Sequence, residues 1–381
     1  MRFFFVNTPY NKPTLVHNTT HMIRKTFFSS LTLLAVCLFF TCCGGKNEKS
    51  GFKKPVFPVK ENAKFTVITD ELIGINVITD LFCGDNWICV YAYDGENQCY
   101  MHLFDKSGEK LFSALKLGRG PNEIMFPMTT SYNTETATLD IFDVTASKNI
   151  TVHIDSLLAS DGNKGITSIN ELDSYPEKIK IWPGHRLEGR AERKKGQKRL
   201  TLLNDFGDTL STYDSFPEIE NKALLPRLYT WQSEFEVSPD HTRLATTSCA
   251  GEILETFSLG EQISSIATGY FIEPDVDLED AFPYAFNERT VFGFNDLFVD
   301  NSLIYTVHDG KTLAESNNID NRSLFSRIAI YDWNCNPVKE IQTDYRIERI
   351  FVESNSDKLF AVVRDNDSNT HLAHIKLNLT K

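Results

Sequence analysis

The feature that most constrains the fold of this chain is a pair of apolar runs joined by a short polar turn, a pattern that recurs after residue 62. Its clearest copies span residues 81–90 and 235–245, with turns at Asp85 and Asp240. Weaker copies turn near four further residues, Glu135, Gly184, Asn301 and Ser356. Apolar and polar residues alternate within these runs and helical spacing is scarce, which predicts an all-β chain.

Successive turns lie roughly 50 to 60 residues apart, so the chain contains about six similar units. A second turn with Asp or Asn follows in several units, as at Asp105, Asn204 and Asp332, and predicts an outer hairpin. Four short strands with their turns need about 45–55 residues, the size of a β-propeller blade. We therefore predict a six-bladed β-propeller of four-stranded blades over residues 63–381. Seven blades of about 46 residues each are the alternative.

The ends of this domain predict how the ring of blades closes. The last unit contains only three clear strands, near residues 349–353, 358–363 and 371–377. A lone four-stranded sheet exposes both faces and its edges, so the blades must pack radially and the ring must be complete. We expect residues 64–69 to supply the fourth strand, so that the N-terminal strand closes the last blade.

Residues 22–43 have the organisation of an export signal. Arg24 and Lys25 provide positive charge, and a mostly apolar stretch follows over residues 27–40. As a helix this stretch would span roughly 21 Å, less than the roughly 30 Å hydrocarbon layer, which favours a cleaved signal. Residues 1–41 are interpreted as an N-terminal extension and signal peptide, with translation starting at Met22. Residues 42–62, rich in Lys, Gly, Pro and Ser, are predicted to form a flexible tether.

The end of the signal resembles a bacterial lipobox, in which a lipid is added to the cysteine that becomes the first residue of the mature protein. Cys42 and Cys43 are both candidates, and Cys43 is favoured because a smaller pair of residues precedes it. Multiple acyl chains, as this resemblance implies, would attach the protein stably to a membrane. We expect a lipid-anchored protein of the cell envelope, at the outer membrane. An ordinary cleaved signal without lipid is the alternative.

The net charge of the chain, −12 at pH 7, bears on its possible partners. Residues 1–41 hold four basic and no acidic residues, so the remaining chain is more acidic still. Nucleic acids and anionic membrane surfaces require clustered Lys and Arg, and neither is expected as the main partner. Residues 186–199 are a local basic exception, interpreted as an exposed hairpin turning at Lys195-Gly196, with docking of an anionic partner as the alternative.

Five cysteines remain once the signal and the lipobox pair are set aside, namely Cys83, Cys89, Cys99, Cys249 and Cys335. An odd number cannot all pair within one chain. The sequence contains no C-x-x-C motif, so a thioredoxin-like redox site or a zinc ribbon has no support. Cys89 and Cys99 flank a turn at Asp94-Gly95 and could form a disulfide across a hairpin. The alternative is that all five pack as small apolar side chains in a sheet.

Two turns resemble those of a known family. Ser238-Pro239-Asp240 resembles the S-P-D-G turn of TolB-type propeller repeats, with His241 in place of the usual Gly. Residues 117–124, Leu-Gly-Arg-Gly-Pro-Asn-Glu-Ile, resemble the G-R-G-P-x-E-F segment of the six-bladed, TolB-like propeller lipoproteins typical of Bacteroides and its relatives. The resemblance covers essentially the whole chain. It implies a fold and a location in the cell envelope, and it implies no reaction.

The second motif supplies the candidate site, which consists of Gly118, Arg119, Gly120, Pro121, Asn122 and Glu123. Its glycines permit backbone angles closed to other residues and its proline fixes its own, which predicts a shaped crossover between two blades. The polar side chains of such a crossover would project near the central face, where propellers commonly bind ligands. The segment either pins neighbouring blades together or contacts a ligand.

No catalytic residue is assigned, because zinc-protease, serine-hydrolase and Walker motifs are absent from the sequence. No cofactor is predicted. A cluster of five acidic residues offers oxygen ligands for calcium, but the glycine of an EF-hand loop is missing, and a solvated insert between blades is the favoured interpretation. The cluster consists of Glu273, Asp275, Asp277, Glu279 and Asp280.

The sequence therefore predicts a binding or interaction module for a protein, peptide or glycan at the cell envelope, without chemistry of its own. Two alternatives stay open. A hydrolase or lyase would need several acidic or amide side chains that converge on a metal ion in the channel. A structural subunit of an envelope complex would dock through the outer surfaces of the ring.

Overall fold

The computed structural model describes residues 51–379, apart from positions 76, 121, 144, 146–147, 161, 163, 170–177, 191–197, 218–233, 278–284, 318–325 and 354–355. The predicted signal and the lipidation candidates Cys42 and Cys43 lie outside the described residues, as does Pro121. Among the residues that are described, no helix has the length and apolar character needed to cross a membrane.

Strands dominate the structure and form six small sheets in a ring, a six-bladed β-propeller. Two strands precede the first blade, β1 (Val59–Asn62) and β2 (Thr66–Thr69). Blade 1 contains β3 (Val77–Cys83), β4 (Trp87–Asp94), β5 (Cys99–Asp105) and β6 (Lys110–Leu117), with the short β7 (Glu123–Ile124) added to its outer edge. Blade 2 contains β8 (Pro127–Asn133), β9 (Thr138–Asp143), β10 (Lys148–His153) and β11 (Ile166–Ile169), with a short helix α1 (Ile154–Leu158).

The remaining four blades follow the same order. Blade 3 contains β12 (Lys178–Trp182), β13 (His185–Gly189), β14 (Leu200–Asn204) and β15 (Thr209–Tyr213). Blade 4 contains β16 (Phe235–Val237), β17 (Arg243–Thr247), β18 (Glu252–Leu259) and β19 (Ile263–Ile272), and is followed by the hairpin of β20 (Val276–Asp277) and β21 (Ala285–Phe286). Blade 5 contains β22 (Asp296–Val299), β23 (Leu303–His308), β24 (Arg327–Asp332) and β25 (Pro337–Gln342), with helix α2 (Leu313–Asn317). Blade 6 contains β26 (Arg346–Glu353), β27 (Lys358–Arg364) and β28 (Thr370–Lys376), and is completed by β2.

The first strand of each blade lies at the axis of the ring. Contacts run from β8 to β12, β16, β22, β26 and β3 in turn. A hydrogen bond from Thr130 on β8 to Asp80 on β3 completes the circle. All six predicted turn markers join the first and second strands of a blade, which confirms the six-bladed prediction over the seven-bladed alternative.

Burial explains the apolar character of the strands. The inner strand β4 reads WICVYAYD and is buried at seven of its eight positions, because neighbouring blades cover both of its faces. The outer strand β6 has several exposed positions. Buried apolar side chains form separate clusters between neighbouring blades. Each blade is therefore stabilised mainly by the blades on either side of it.

The second predicted turn has the same geometry in three blades. Oδ1 of Asp105 accepts hydrogen bonds from the backbone N–H groups of Ser107 and Glu109, between β5 and β6. Asn204 and Asp332 bond in the same way to the residues two and four positions further on. These side chains close the outer hairpins of blades 1, 3 and 5, because a short carboxylate or amide can replace backbone acceptors in a tight turn.

The N-terminal strand closes the ring, as predicted. β2 pairs antiparallel with β28 and forms the outermost strand of blade 6. Phe65, just before β2, is buried between blades 5 and 6. Asp70, just after β2, lies 2.8 Å from Nδ1 of His371 on β28. β2 and β28 are thus joined by backbone hydrogen bonds, and the segments next to β2 add an apolar contact and a polar side-chain contact.

The compact domain begins earlier than the predicted boundary at residue 63. β1 pairs in parallel with β25, Phe57 is buried against Tyr331, and Phe52 packs edge-on against Tyr270. The predicted tether of residues 42–62 therefore overlaps with a unit that starts at Ser50. The aromatic contacts of the two phenylalanines and the pairing of β1 with β25 hold this stretch against the ring.

All five cysteines of the described domain are buried, and none of them forms a disulfide bond. Cys89 is paired with Leu103 across β4 and β5, whereas Cys99 is paired with Asp94. The disulfide considered between Cys89 and Cys99 is therefore not formed, because the two residues occupy different positions along the hairpin. Cys83 and Cys89 instead pack in apolar clusters on the two sides of blade 1.

Candidate functional site

Each blade contributes one polar side chain from its first strand to a ring around the axis, which we call the axial ring. Its members are Asp80, Thr130, Lys180, Glu236, Asp296 and Arg349. Alternate residues of a strand point to the same side, so one position of each inner strand can face the axis while its neighbours pack between blades. Asp80 of blade 1 interacts with both Lys180 of blade 3 and Arg349 of blade 6, which shows that the side chains converge across the channel.

Direct contacts join members of the axial ring on neighbouring blades. Thr130 donates a hydrogen bond of 2.5 Å to Asp80, and Lys180 donates one of 2.6 Å to Glu236. Nε of Arg349 lies 3.8 Å from Oδ1 of Asp296. Opposite charges therefore bridge blades 3 and 4 and blades 5 and 6, and a hydrogen bond from a hydroxyl to a carboxylate bridges blades 1 and 2.

Hydrogen bonds to backbone groups hold the side chains of Arg349 and Asp296 in place. Nε of Arg349 donates to the carbonyl oxygen of Thr79 at 2.6 Å, which connects blade 6 to blade 1. Oδ2 of Asp296 accepts the backbone N–H of Ile350 at 2.6 Å, which connects blade 5 to blade 6. These bonds leave little freedom of rotation to either side chain, so the axial ring is a rigid feature of the propeller.

Burial shifts the protonation of the acidic members. It raises the pKa of Asp80, an effect that Lys180 and Thr130 partly offset. It raises the pKa of Glu236 to about 7, against the opposing influence of Lys180. It also holds the pKa of Asp296 well above its ordinary value, despite the nearby charge of Arg349. Shifts concentrated in one cleft are typical of functional sites, although structural ion-pair networks produce them as well.

Two further charged side chains lie at the mouth of the channel, on the face that carries the crossovers between blades, which we call the crossover face. Lys178 begins β12 and Glu234 directly precedes β16. Neither side chain forms a hydrogen bond or ion pair with another residue of the described ranges. Burial lowers the pKa of Lys178, and the charge of Glu234 partly offsets this effect. Both border a small cavity of about 20 Å³, together with Arg190 and Arg199.

The same mouth exposes apolar side chains on the side of blades 1 and 2. Val77, at the start of β3, is 46% exposed, and Phe126, just before β8, is 45% exposed. The hydrogen bond between Asp80 and Thr130 sets these two strand starts at similar depth along the axis. The mouth therefore combines accessible apolar surface with two charged side chains that form no ion pair or hydrogen bond with the described residues.

The sequence-predicted site at residues 118–123 lies in the crossover from blade 1 to blade 2. Arg119 and Asn122 are exposed, whereas Glu123 folds back so that its Oε2 accepts the N–H of Gly120 at 2.7 Å. Lys148 of blade 2 donates to the carbonyl oxygens of Gly120 and Glu123. Because β7 joins the outer edge of blade 1, the structure does not bring this segment together with the axial ring.

The glycines of this segment serve a different purpose from the one expected. Neither Gly118 nor Gly120 has a positive φ, so special backbone angles are not the reason for them. A Cβ atom placed on Gly118 would lie 2.0 Å from Oε2 of Glu123, and one on Gly120 would lie 3.0 Å away. The missing side chains make room for the Glu123 carboxylate, which then closes the loop.

The calcium ligands considered in the acidic cluster are engaged by protein groups. Arg289 binds both carboxylate oxygens of Asp275, and Asn287 donates to Asp275 and Asp277. Glu273 is exposed, and Glu279 and Asp280 lie outside the described residues. A guanidinium therefore occupies the position where a cation would be needed.

The carboxylates of the axial ring do not converge on a common point, because Asp80, Glu236 and Asp296 each face a different partner. Within the described ranges, three potential metal ligands come together in one place, Asp94, Cys99 and His102 of blade 1. The ligand set required by the alternative of a hydrolase or lyase with a channel metal is thus not found among these residues.

Four of the basic residues within 186–199 have acidic partners, namely Arg186, Arg190, Lys198 and Arg199. Arg199 forms a buried bidentate pair with Glu255 of blade 4, and Arg190 pairs with Glu188. Arg199 therefore connects blade 3 to blade 4 instead of pointing to solvent. The predicted exposed turn at Lys195-Gly196 lies outside the described residues.

None of the six members of the axial ring belongs to the sequence-predicted site. A signal for them existed, because each lies four to seven residues before the turn marker of its blade, within an otherwise apolar strand. The pattern becomes visible only when the six units are aligned by their turns, since the residue types differ from blade to blade.

Comparisons with known proteins agree with this architecture. No curated protein matches the sequence significantly. A solved structure of a Bacteroides fragilis protein described as exported has a TM-score of 0.51 at 11% identity, covering 85% of this chain and 99% of that chain. A member of the DUF4221 family from Bacteroides vulgatus has a TM-score of 0.51 at 10% identity, covering 84% and 96%. At these identities the similarity shows the fold alone.

A family model described as TolB-like 6-blade propeller-like matches residues 70–355, which is well over half of the chain. The matched range extends from the end of β2 to the first hairpin of blade 6. It includes the crossover motif, the S-P-D turn and all six members of the axial ring. This chain therefore belongs to the family of TolB-like six-bladed propellers.

Proposed function

We propose that this protein is exported, anchored by lipid in the cell envelope, and binds a protein or peptide partner through the channel mouth on its crossover face. The observation that carries the proposal is the pair Lys178 and Glu234, which are half-buried and have no partner within the described residues. Exposed Val77 and Phe126 lie around the same mouth. Accessible apolar side chains next to polar groups are typical of an interaction surface.

The cavity beside Lys178 and Glu234 is too small to enclose a ligand. It lies between blades 3 and 4, and its volume of about 20 Å³ has room for little more than a water molecule. Pockets for small molecules are generally about 300–1,000 Å³. A protein or peptide can instead cover the rim and insert one polar side chain between Lys178 and Glu234.

A glycan, the other ligand class considered, has a separate candidate location. A groove of about 560 Å³ lies at the outer edge of blade 6. Lys64, Lys358 and Lys376 line this groove together with His374. Glu61 is the one acidic residue among the described residues that line the groove, so its lining is positive on balance and suits an acidic sugar, and its position at the outer edge of blade 6 allows a test independent of the channel mouth.

The proposal is tested by capture of the native protein from cross-linked cells, with the recovered proteins identified by mass spectrometry. The mouth variant is Lys178→Met/Glu234→Gln, which removes both charges with little change in volume. The matched control is Asp85→Asn/Asp205→Asn, which alters two exposed charges on the opposite face. We expect the mouth variant to lose a partner that the wild type and the control retain.

Other outcomes assign the interaction elsewhere. A partner retained by the mouth variant would contradict binding at the channel and favour a structural subunit that docks through the outer surfaces. A partner lost only in Arg119→Ala/Asn122→Ala would place the contact at the exposed residues of the crossover segment. Loss of binding after Lys64→Met/Lys376→Met alone would favour the groove of blade 6.

A further inference from the structure

A compact group of three potential metal ligands lies in blade 1, away from the channel. Asp94 ends β4, and Cys99 and His102 lie on β5. One ligand atom of each residue lies within 4.8 Å of the other two. All three residues are buried, with exposed fractions of 7%, 3% and 0%. A carboxylate, a thiol and an imidazole are thus gathered at the hairpin between β4 and β5.

The hydrogen bonds of His102 determine which ring nitrogen is available. Nε2 lies 3.3 Å from the carbonyl oxygen of Ala92, which can only accept, so Nε2 carries the hydrogen. Nδ1 then presents its lone pair on the side of Ser113, whose Oγ is 3.1 Å away. An imidazole fixed by a backbone carbonyl is the usual arrangement of a metal-binding histidine.

Asp94 is also held in place by its surroundings. Its Oδ1 accepts the backbone N–H groups of Glu96 and Asn97, and its Oδ2 accepts Nδ2 of Asn97 at 2.7 Å. Each carboxylate oxygen has further lone-pair capacity. The carboxylate is therefore oriented before any metal arrives, as coordinating carboxylates commonly are.

Ser113 borders the group on the side of the outer strand. This residue lies on β6, where it is exposed, and its hydroxyl contacts both Cys99 and His102. The same hydroxyl, or a water molecule in its place, is suited to complete a four-ligand site. An exposed residue thus adjoins the buried group at the outer edge of the blade.

We propose that Asp94, Cys99 and His102 bind one zinc ion, with the Ser113 hydroxyl or a water molecule as the fourth ligand. Carboxylate oxygen, thiolate sulfur and imidazole nitrogen are the ordinary ligands of zinc in tetrahedral sites. On binding, the S–H bond of Cys99 breaks, a Zn–S bond forms, and the proton passes to solvent. The thiolate and the carboxylate then balance the two charges of the ion.

The site would strengthen the connection between blade 1 and the crossover segment. Gln98, next to Cys99, accepts the backbone N–H of Leu117 through its carbonyl oxygen at 2.8 Å. Leu117 is the residue directly before Gly118. A metal that fixes Cys99 thus fixes the strand end from which the crossover departs, and its role is structural.

The test uses cobalt as a spectroscopic substitute for zinc in the whole propeller domain. Addition of Co²⁺ to metal-free protein is expected to produce a thiolate-to-cobalt charge-transfer band that saturates at one equivalent and disappears when zinc is added. Cys99→Ser should abolish the band, and His102→Ala should weaken zinc binding by more than about 100-fold. The matched control, Cys335→Ser, removes a buried thiol of blade 5 and should leave both signals unchanged.

The proton balance gives a readout that does not depend on a variant. Calorimetric titration of wild-type protein with zinc, in buffers of different ionisation enthalpy, should show release of one proton per ion near neutral pH. Wild-type protein that shows no saturable binding of micromolar zinc would overturn the proposal, whether or not the variants fold. A charge-transfer band that persists in Cys99→Ser would overturn it as well.

Discussion

At the scale of single residues, Glu236 shows what a charged group costs inside a channel. Its carboxylate is bound by Lys180 at 2.6 Å, yet its pKa is raised to about 7 because burial outweighs this pairing. The ordinary pKa of 4.5 applies in the unfolded chain. Between these two pH values the folded protein holds a proton that the unfolded chain has lost. The contribution of Glu236 to stability therefore falls as the pH rises from about 4.5 to about 7.

This behaviour predicts a pH-dependent difference between the wild type and Glu236→Gln. As the pH rises through that window, the wild type should lose about 1–3 kcal/mol of unfolding free energy relative to the variant. The upper value corresponds to the full pKa shift, and screening by solvent in the channel lowers it. Urea denaturation at several pH values between 4.5 and 8 measures the difference. Glu109→Gln, which alters an exposed carboxylate, should show no such trend, and a flat difference for Glu236→Gln would contradict the assigned protonation.

His241 illustrates what could and could not be predicted at this scale. The S-P-D turn was recognisable from the sequence, but the replacement of Gly by His was not explained. In the structure His241 has a φ of 57°, the conformation that favours glycine, and its ring stacks on Trp182 of blade 3 at 5.1 Å between centroids. The stacking contact offsets the backbone strain. It joins residues far apart in sequence and so leaves no local signal.

At the scale of elements, the crossover at residues 117–124 depends on one carboxylate. Glu123 closes the loop onto Gly120, and Gly118 leaves space for it. The segment was predicted to be a crossover because its residue types are restrictive. Its true constraint is steric and involves a side chain within the segment itself, which a list of backbone preferences does not reveal.

A double-mutant cycle tests this interpretation. Glu123→Ala should cost about 1.5–3 kcal/mol, the net value of a hydrogen bond to a charged group. Gly118→Ala should cost a similar amount, because its Cβ displaces the same carboxylate. The double variant should be no less stable than Glu123→Ala alone, so the two effects are not additive.

The control for this cycle is Gly260→Ala, since a Cβ at that position meets no atom within 4 Å and the change should be within about 0.5 kcal/mol. Urea denaturation curves of the wild type, the two single variants, the double variant and the control supply the values. Additive losses for Gly118→Ala and Glu123→Ala would show that the glycine has a role independent of Glu123.

At the scale of the whole molecule, the fold could be predicted more completely than the site. Turn residues and strand alternation are local, so six units, their outer hairpins and the closing strand were all accessible from the sequence. The axial ring depends on bringing Asp80, Lys180 and Arg349 to one axis, although they are roughly a hundred residues or more apart. Only the closed ring creates that proximity.

Closure itself can be tested by two truncations. A protein that begins at residue 63 retains β2 and should remain a folded monomer, with a moderate loss of stability from the absence of β1 and Phe57. A protein that begins at residue 71 also lacks Phe65 and β2, which leaves the edge of β28 unpaired, and should lose more than about 3 kcal/mol further. Thermal unfolding and size-exclusion chromatography measure both effects.

The same truncation permits a rescue experiment. A synthetic peptide of residues 60–72 should add to the open edge as a strand and raise the unfolding midpoint of the shorter protein. The peptide should have no effect on the protein that begins at residue 63, whose edge is already occupied. An unchanged midpoint after removal of β2 would show that the ring does not depend on this strand.

The pairing of β2 with β28 also sets an order of events during synthesis. The ribosome makes residues 66–69 before any blade exists, and their partner, residues 370–376, is made some three hundred residues later. β2 must therefore stay unpaired while the other blades emerge, and the ring can be completed only after nearly the whole domain has been synthesised. Pairing of β2 with β28 is thus expected to be a late step of folding, in which one end of the domain is joined to the other.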